Sequence, residues 1–375
     1  MIKNPFYITG YAGAEYFCDR AKDTKRLCDL INSGSNTVLM SPRRVGKTGL
    51  LCHVFSQDTI RDSYHTFLID IYATKSLDEF VQTMGRAIIK NLSGKGEGAL
   101  KTFLQIVNSL RTTISFDPMG NPSLGIDRGE VRSPEYTLDQ IFDYLEKADK
   151  PCVVAIDEFQ QITKYAEKNV EAVLRTKIQH CRNCTFIFSG SERSVLGQMF
   201  NSPARPFFAS THTYTLGNIP EDSYVAFAMR LFKENGKTID KKAVEETYRT
   251  FEGVTWYLQK VMNEAYTLTD KGETCTVENI HIAVDNIINE NAITYSDLLY
   301  QITQRQKELL IAICHEGKAK AITSLGFQKK YNLRGPSTIQ ASLKAMLEKQ
   351  IVTDSQGTLE VYDKFLALWI RKQDI

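Results

Sequence analysis

The rhythm of apolar and polar positions changes along the chain. Residues 36 to 70 read as strand, loop, helix, strand: an apolar run from Thr37 to Met40, a loop punctuated by Pro42 and Gly46, an apolar-periodic stretch to about Phe55, then Thr66 to Ile71. Further strands are predicted at Cys152 to Ile156 and Thr185 to Phe188, with helical patterns between them. Strands alternating with helices predict an α/β domain with a mainly parallel sheet, expected over residues 1–218. Within it, residues 113–127 alternate around Pro118, Gly120 and Pro122, which predicts an inserted hairpin.

From Ile219 the period becomes helical. Pro220, Glu221 and Asp222 make a helix start and Asn235, Gly236 and Lys237 a stop, opening a helical domain expected over 219–295. The remainder, 296–375, offers a helix from Gln304 to about Cys314, another near Ser324 to Tyr331, and a third beginning at Pro336. In that third helix Ile339, Leu343, Met346 and Leu347 form a stripe to bury, while Ser337, Gln340 and Lys344 point elsewhere. With Ile351 to Val361 folded about Gly357 as a β-wing, this segment reads as a winged helix.

Composition narrows the class. With 42% hydrophobic and 24% charged residues the chain is an ordinary folded protein, and no apolar run approaches the roughly 18 residues of a membrane span. The start lacks the apolar core of a secretory signal, so a cytoplasmic location is expected. Eight scattered cysteines point to reduced thiols, and only Cys181 and Cys184, beside His180, have ligand-like spacing. No second pair completes a zinc site nearby, so that stretch reads as a turn into the following strand. The net charge of +2 hides an asymmetry: residues 301–375 carry 12 Lys and Arg against 7 Asp and Glu, a local +5.

The chemistry concentrates in Ser41, Pro42, Arg43, Arg44, Val45, Gly46, Lys47 and Thr48, set between an apolar strand and a helix. This is a Walker A loop except that Ser41 stands where the pattern has its first glycine, a change that matters only if that position needs φ > 0 or a very close backbone approach. Loop amides and a helix N-terminus face phosphates, lysine brings a compact positive charge, and the hydroxyl joins a Mg²⁺ shell. Nucleotide contacts are therefore expected from Ser41, Arg44, Val45, Gly46, Lys47, Thr48 and Gly49, with ATP and Mg²⁺ as the ligands. The apolar strand that ends in Asp157 and Glu158 reads as Walker B: Asp157, with Thr48, for the metal, and Glu158 and Lys47 for catalysis, Glu158 by orienting the attacking water and Lys47 by its charge at the outer phosphates.

The segments SPRRVGKTGL, VVAIDEFQ and FIFSGSERSVL, ahead of helices and a winged-helix tail, resemble the prokaryotic archaeal-type ATPase family of the STAND branch of AAA+-like P-loop ATPases. The resemblance implies a P-loop NTPase domain followed by a helical lid and a winged helix, with ATP between sheet domain and lid and hydrolysis resetting their orientation. It also implies that Phe17, Asp19 and Arg20 lie near the adenine and that Ser189 or Ser191 senses the γ-phosphate. Where the family's lid carries a Gly-x-Pro signature, this chain has Gly253, Val254, Thr255, Trp256 and Tyr257, without the proline. Arg193 and Arg205 are the candidates for a charge-neutralising arginine, and Arg43 and Arg44 face either phosphates or solvent.

Two readings follow. One is an ATP-hydrolysing switch. The other is a nucleotide-gated DNA-binding regulator with little or no hydrolysis, using Ser337, Gln340 and Lys344 with Lys329, Lys330 and Arg334 nearby. Winged helices also serve protein contacts, so DNA, a protein partner and self-association all stay open. Other chemistry finds no support: there is no dinucleotide fingerprint or nucleophile elbow, and the six histidines are dispersed.

Overall fold

The computed structural model describes residues 4–93, 97–110, 112–116, 122–126 and 133–373. They divide into two units: residues 7–227 with 253–256, and residues 4–6, 228–252 and 257–373. In the first unit, strands β1 (Thr37–Met40), β2 (His65–Asp70), β5 (Cys152–Asp157), β6 (Cys184–Gly190) and β7 (His212–Thr215) form one parallel sheet in the order β2-β5-β6-β1-β7. Two intervening strands, β3 (Thr112–Phe116) and β4 (Pro122–Ile126), pair antiparallel as the predicted hairpin. Its turn, with Pro118 and Gly120, lies outside the described residues.

Alternation along each central strand sorts side chains between two helical layers. Val153 and Ala155 of β5, Ile187 of β6 and Leu39 of β1 pack with Leu27, Leu30, Leu50 and Val54 on the helices Ala21–Asn32 and Lys47–Ser56. Val154, Ile156, Phe186 and Phe188 face the other way, against Phe80, Ile88, Leu138 and Ile141 on the helices Leu77–Ser93 and Pro134–Lys147. Because both faces are covered, β1, β5 and β6 are buried at every residue, which explains their unbroken apolar runs.

Register extends the strands beyond their apolar cores. β5 includes Asp157, paired with Asp70, and β6 begins at Cys184, opposite Cys152, and ends at Gly190, opposite Met40. β7 has no counterpart in the sequence reading: its four residues, His-Thr-Tyr-Thr, lie at the sheet edge, mostly exposed, and carry no hydrophobic period.

In the second unit, the helix Glu221–Glu234, begun in the first, stops where Gly236 takes φ 73°, a left-handed turn that suits glycine. The helices Lys241–Thr250 and Thr255–Leu268 and the short pair β8 (Thr238–Ile239) and β9 (Thr274–Cys275) precede a 24-residue helix, Val277–Tyr300. The winged helix then follows as Gln304–Glu316, Leu325–Lys330 and Pro336–Glu348, the wing strands β10 (Val352–Ser355) and β11 (Thr358–Val361), and a closing helix, Lys364–Lys372. Thr303 and Ser324 cap the first two of these helices through their side chains. In the third, Ile339 and Met346 are buried as expected, but Leu343 and Leu347 are half-buried and Ser342 is buried in their company, which shifts the stripe.

Candidate functional site

The loop after β1 has two left-handed residues, Arg44 (φ 68°) and Gly46 (φ 100°), and Ser41 is not one of them. The serine is fully buried with its hydroxyl turned to the Pro42 carbonyl, so its Cβ meets no conformational objection. Gly46 has the strained position and open space around it, with no atom within 4 Å of where a Cβ would stand. The first backbone bond into the following helix runs from Leu50 to the Gly46 carbonyl, 3.0 Å. The amides of Lys47 to Gly49 lie ahead of it, so they have no intrahelical acceptor and leave an N-terminus suited to an anion.

Lys47 is only 6% exposed, and its Nζ donates to the carbonyls of Ser41 (3.2 Å) and Pro42 (3.3 Å). Burial pushes its ammonium below the ordinary lysine range, while Glu158 and Asp157 pull it back up. A buried cation whose hydrogen-bond partners are neutral carbonyls is suited to a polyanion. Thr48 Oγ1 donates to Asp157 Oδ2 at 2.6 Å, joining the helix start to a strand tip two strands away in the sheet. A hydroxyl and a carboxylate side by side are hard oxygen donors, a set that fits a hydrated divalent cation.

Glu158 follows in left-handed backbone, φ 55°. Its Oε2 accepts from Ser191 Oγ (2.8 Å) and Gln160 Nε2, and Ser191 Oγ in turn accepts from Arg43 Nε (3.3 Å). The loop is braced from behind: Arg20 donates to the carbonyls of Val45 (3.1 Å) and Gly217 (2.7 Å), and Thr255 Oγ1 also donates to Val45 O (3.2 Å). Trp256 donates its amide to the Arg44 carbonyl (3.0 Å) and lies with its ring 4.4 Å from the Arg44 guanidinium.

Ser41, Arg43, Arg44, Val45, Gly46, Lys47, Thr48, Asp157, Glu158 and Ser191 are thus linked by contacts within one neighbourhood. Ser189 is fully buried with its hydroxyl unpaired, one residue short of the strand end. Arg193 is exposed, and Arg205 is engaged by Glu171. Phe17 stacks on His53 at 4.3 Å beside Gly49, whereas Arg20 turns to the loop carbonyls. Cys181 and Cys184 are buried and His180 is exposed; desolvation, with the Cys181 contact, raises the Cys184 thiol well above its usual value. Among the described residues no cluster of three or more His, Cys, Asp or Glu is arranged for a metal. Sequence reasoning missed Gln160 and passed over Trp256 except as part of a motif lacking its proline. A glutamine two residues past an acidic strand end carries no signal of its own.

A lysine-bearing loop at a helix N-terminus, facing a carboxylate at a nearby parallel strand tip, is the arrangement of the P-loop ATPases. The chain belongs to the family described as an ATPase domain predominantly from Archaea, matched over residues 17–261. Residues 293–372 match a second description, a probable winged helix domain. Among solved structures the chain is similar to a Walker-type ATPase of Pyrococcus abyssi, with 18% identity and a TM-score of 0.67 over 98% of this chain and 99% of that one. It is also similar to the Aeropyrum pernix ORC2 protein in ADPNP-ADP complexes (12%, TM-score 0.59, 99% and 98%). The Aeropyrum pernix ORC1 protein in complex with DNA is similar as well (11%, TM-score 0.50, 96% and 93%). These likenesses establish the fold. No curated protein matches the chain.

Proposed function

We propose that this ATPase is a Mg²⁺-dependent switch of the STAND type, in which Ser41, Arg44, Val45, Gly46, Lys47, Thr48 and Gly49 hold ATP. Thr48 and Asp157 hold the metal, which supplies charge neutralisation at the outer phosphates. Glu158 orients and polarises the attacking water, and Lys47 stabilises charge that develops on the transferred phosphoryl group. The observation that carries this reading is the 2.6 Å Thr48–Asp157 bond next to a buried Lys47 whose hydrogen bonds go to carbonyls. The switch part rests on Thr255 and Trp256: they open the helix Thr255–Leu268 and bond to the loop carbonyls, and the rest of that helix belongs to the other unit. A ligand that rearranges the loop would bias this helix.

The test is ATP binding and turnover by the full chain. Lys47→Ala is expected to abolish binding, Glu158→Gln to keep binding while stopping turnover, and chelation of divalent cations to stop turnover in the parent. Unaltered ATP affinity in Lys47→Ala would sink the reading.

A second reading, nucleotide-gated DNA binding with slow or no hydrolysis, is favoured by the winged helix. There Ser337, Gln340, Lys344, Lys329 and Arg334 are all exposed, and a similar structure, the A. pernix ORC1 protein, was solved with DNA. Binding to duplex DNA should then fall steeply between about 50 and 200 mM salt; a flat response favours a protein partner.

A further inference from the structure

Gln160 is 2% exposed and sits two residues past Glu158, on the short helix Phe159–Lys164. Its amide nitrogen donates to Glu158 Oε2, and its carbonyl oxygen is buried with no hydrogen-bond partner among the described residues. The reverse amide orientation would set a carbonyl against a carboxylate, two acceptors face to face, so the unpaired carbonyl follows from serving Glu158. Leaving such a group buried and unpaired is costly, an expense that packing alone does not explain.

Gly190, at the end of β6, accommodates this amide. A Cβ there would overlap Gln160 Oε1 and stand 2.8 Å from Leu196 Cδ1. The neighbouring Ser191 gives Glu158 Oε2 its second donor, and Arg43 of the phosphate loop donates to Ser191. Two donors therefore converge on one oxygen of the carboxylate. The other, Oε1, accepts no hydrogen bond among the described residues.

We propose that Gln160 is a positioning residue for ATP hydrolysis: with Ser191 it pins Oε2 of Glu158, so that Oε1 is the oxygen presented to the attacking water. The inference rests on the reading of Glu158 given above. Through Ser191 and Arg43 the pinned carboxylate is also tied to the phosphate loop, so its orientation depends on the loop's conformation. A Cβ at Gly190 would push the Gln160 amide out of this position.

Gln160→Met nearly conserves volume, removes the donor and also removes the unpaired carbonyl. Steady-state hydrolysis by the full chain should show kcat reduced about tenfold or more, with ATP affinity within about twofold of the parent. Thermal stability should be equal or higher, an outcome that a merely structural glutamine would not give. Gly190→Ala should reproduce the same split between kcat and affinity by displacing the amide. Glu158→Gln is the control. If it binds ATP without turnover while Gln160→Met keeps a kcat within about twofold of the parent, the inference fails and the reading of Glu158 stands. If Glu158→Gln still turns over at the parent rate, both fail. A parallel loss of affinity and kcat in Gln160→Met also overturns the positioning role.

Discussion

The phosphate loop and the winged helix are both rich in positive charge, and they treat it in opposite ways. In the winged helix, cations meet carboxylates: Lys318 and Lys364 both reach Glu252, at 3.0 and 2.9 Å, Lys330 reaches Glu316 at 2.6 Å, and Lys372 pairs with Asp285. Much of the local +5 is answered within the unit itself. In the loop, Lys47 is buried and its ammonium donates to two backbone carbonyls. Charge that a protein buries beside neutral partners is held for a ligand, whereas charge paired at the surface mostly adjusts solubility and a little stability.

Four groups of substitutions would break or sharpen that contrast. The largest effect is expected from Thr48→Val, which removes the hydroxyl bonded to Asp157: ATP turnover should fall about 10²-fold or more while the fold is retained. Trp256→Ala should weaken ATP binding about three- to tenfold, the scale of a partly desolvated cation–π contact, by releasing Arg44. In a Trp369→Phe background the fluorescence of Trp256 should change on adding nucleotide; an unaltered signal and affinity would show that the loop ignores this residue.

Smaller effects belong to the winged-helix unit. Glu252 is pushed up by burial, but hydrogen bonds from Lys364 and Lys318 outweigh this and hold its carboxyl below the ordinary carboxylate range. A lowered folded-state pKa means the stabilisation is full above the ordinary value of 4.5 and is lost as pH falls through the lowered one. Glu252→Gln should therefore cost about 0.5–1 kcal/mol at neutral pH in denaturant titration, and the deficit should shrink under acid conditions. Smallest of all, Arg334→Ala and Lys344→Ala remove exposed cations that enter no ion pair among the described residues, and stability should stay within about 0.5 kcal/mol. If the surface does meet DNA, each should lower the slope of log affinity against log salt by about one.

The order of strands, loop and helices was legible because a parallel sheet covered on both faces needs continuous apolar runs, and Cys152 to Ile156 and Thr185 to Phe188 are such runs. β7 was not legible, since an exposed edge strand needs no apolar side chains, only a neighbour with free backbone groups. Ser41 could be noted as a departure from the glycine pattern, but whether it mattered depended on φ, and the left-handed positions fall on Arg44 and Gly46 instead.

Residue chemistry and spacing along the chain were enough to point to Lys47, Thr48, Asp157 and Glu158, because a phosphate-binding loop and an acidic strand tip are each built from consecutive residues. Gln160 under Gly190, Ser191 between Arg43 and Glu158, and Trp256 over Arg44 required the folded chain. Ser191 meets Glu158 across 33 positions of sequence, and Trp256 meets Arg44 across more than 200. Such contacts follow from strand register and the return of the chain over the loop, and no local period in the sequence encodes them.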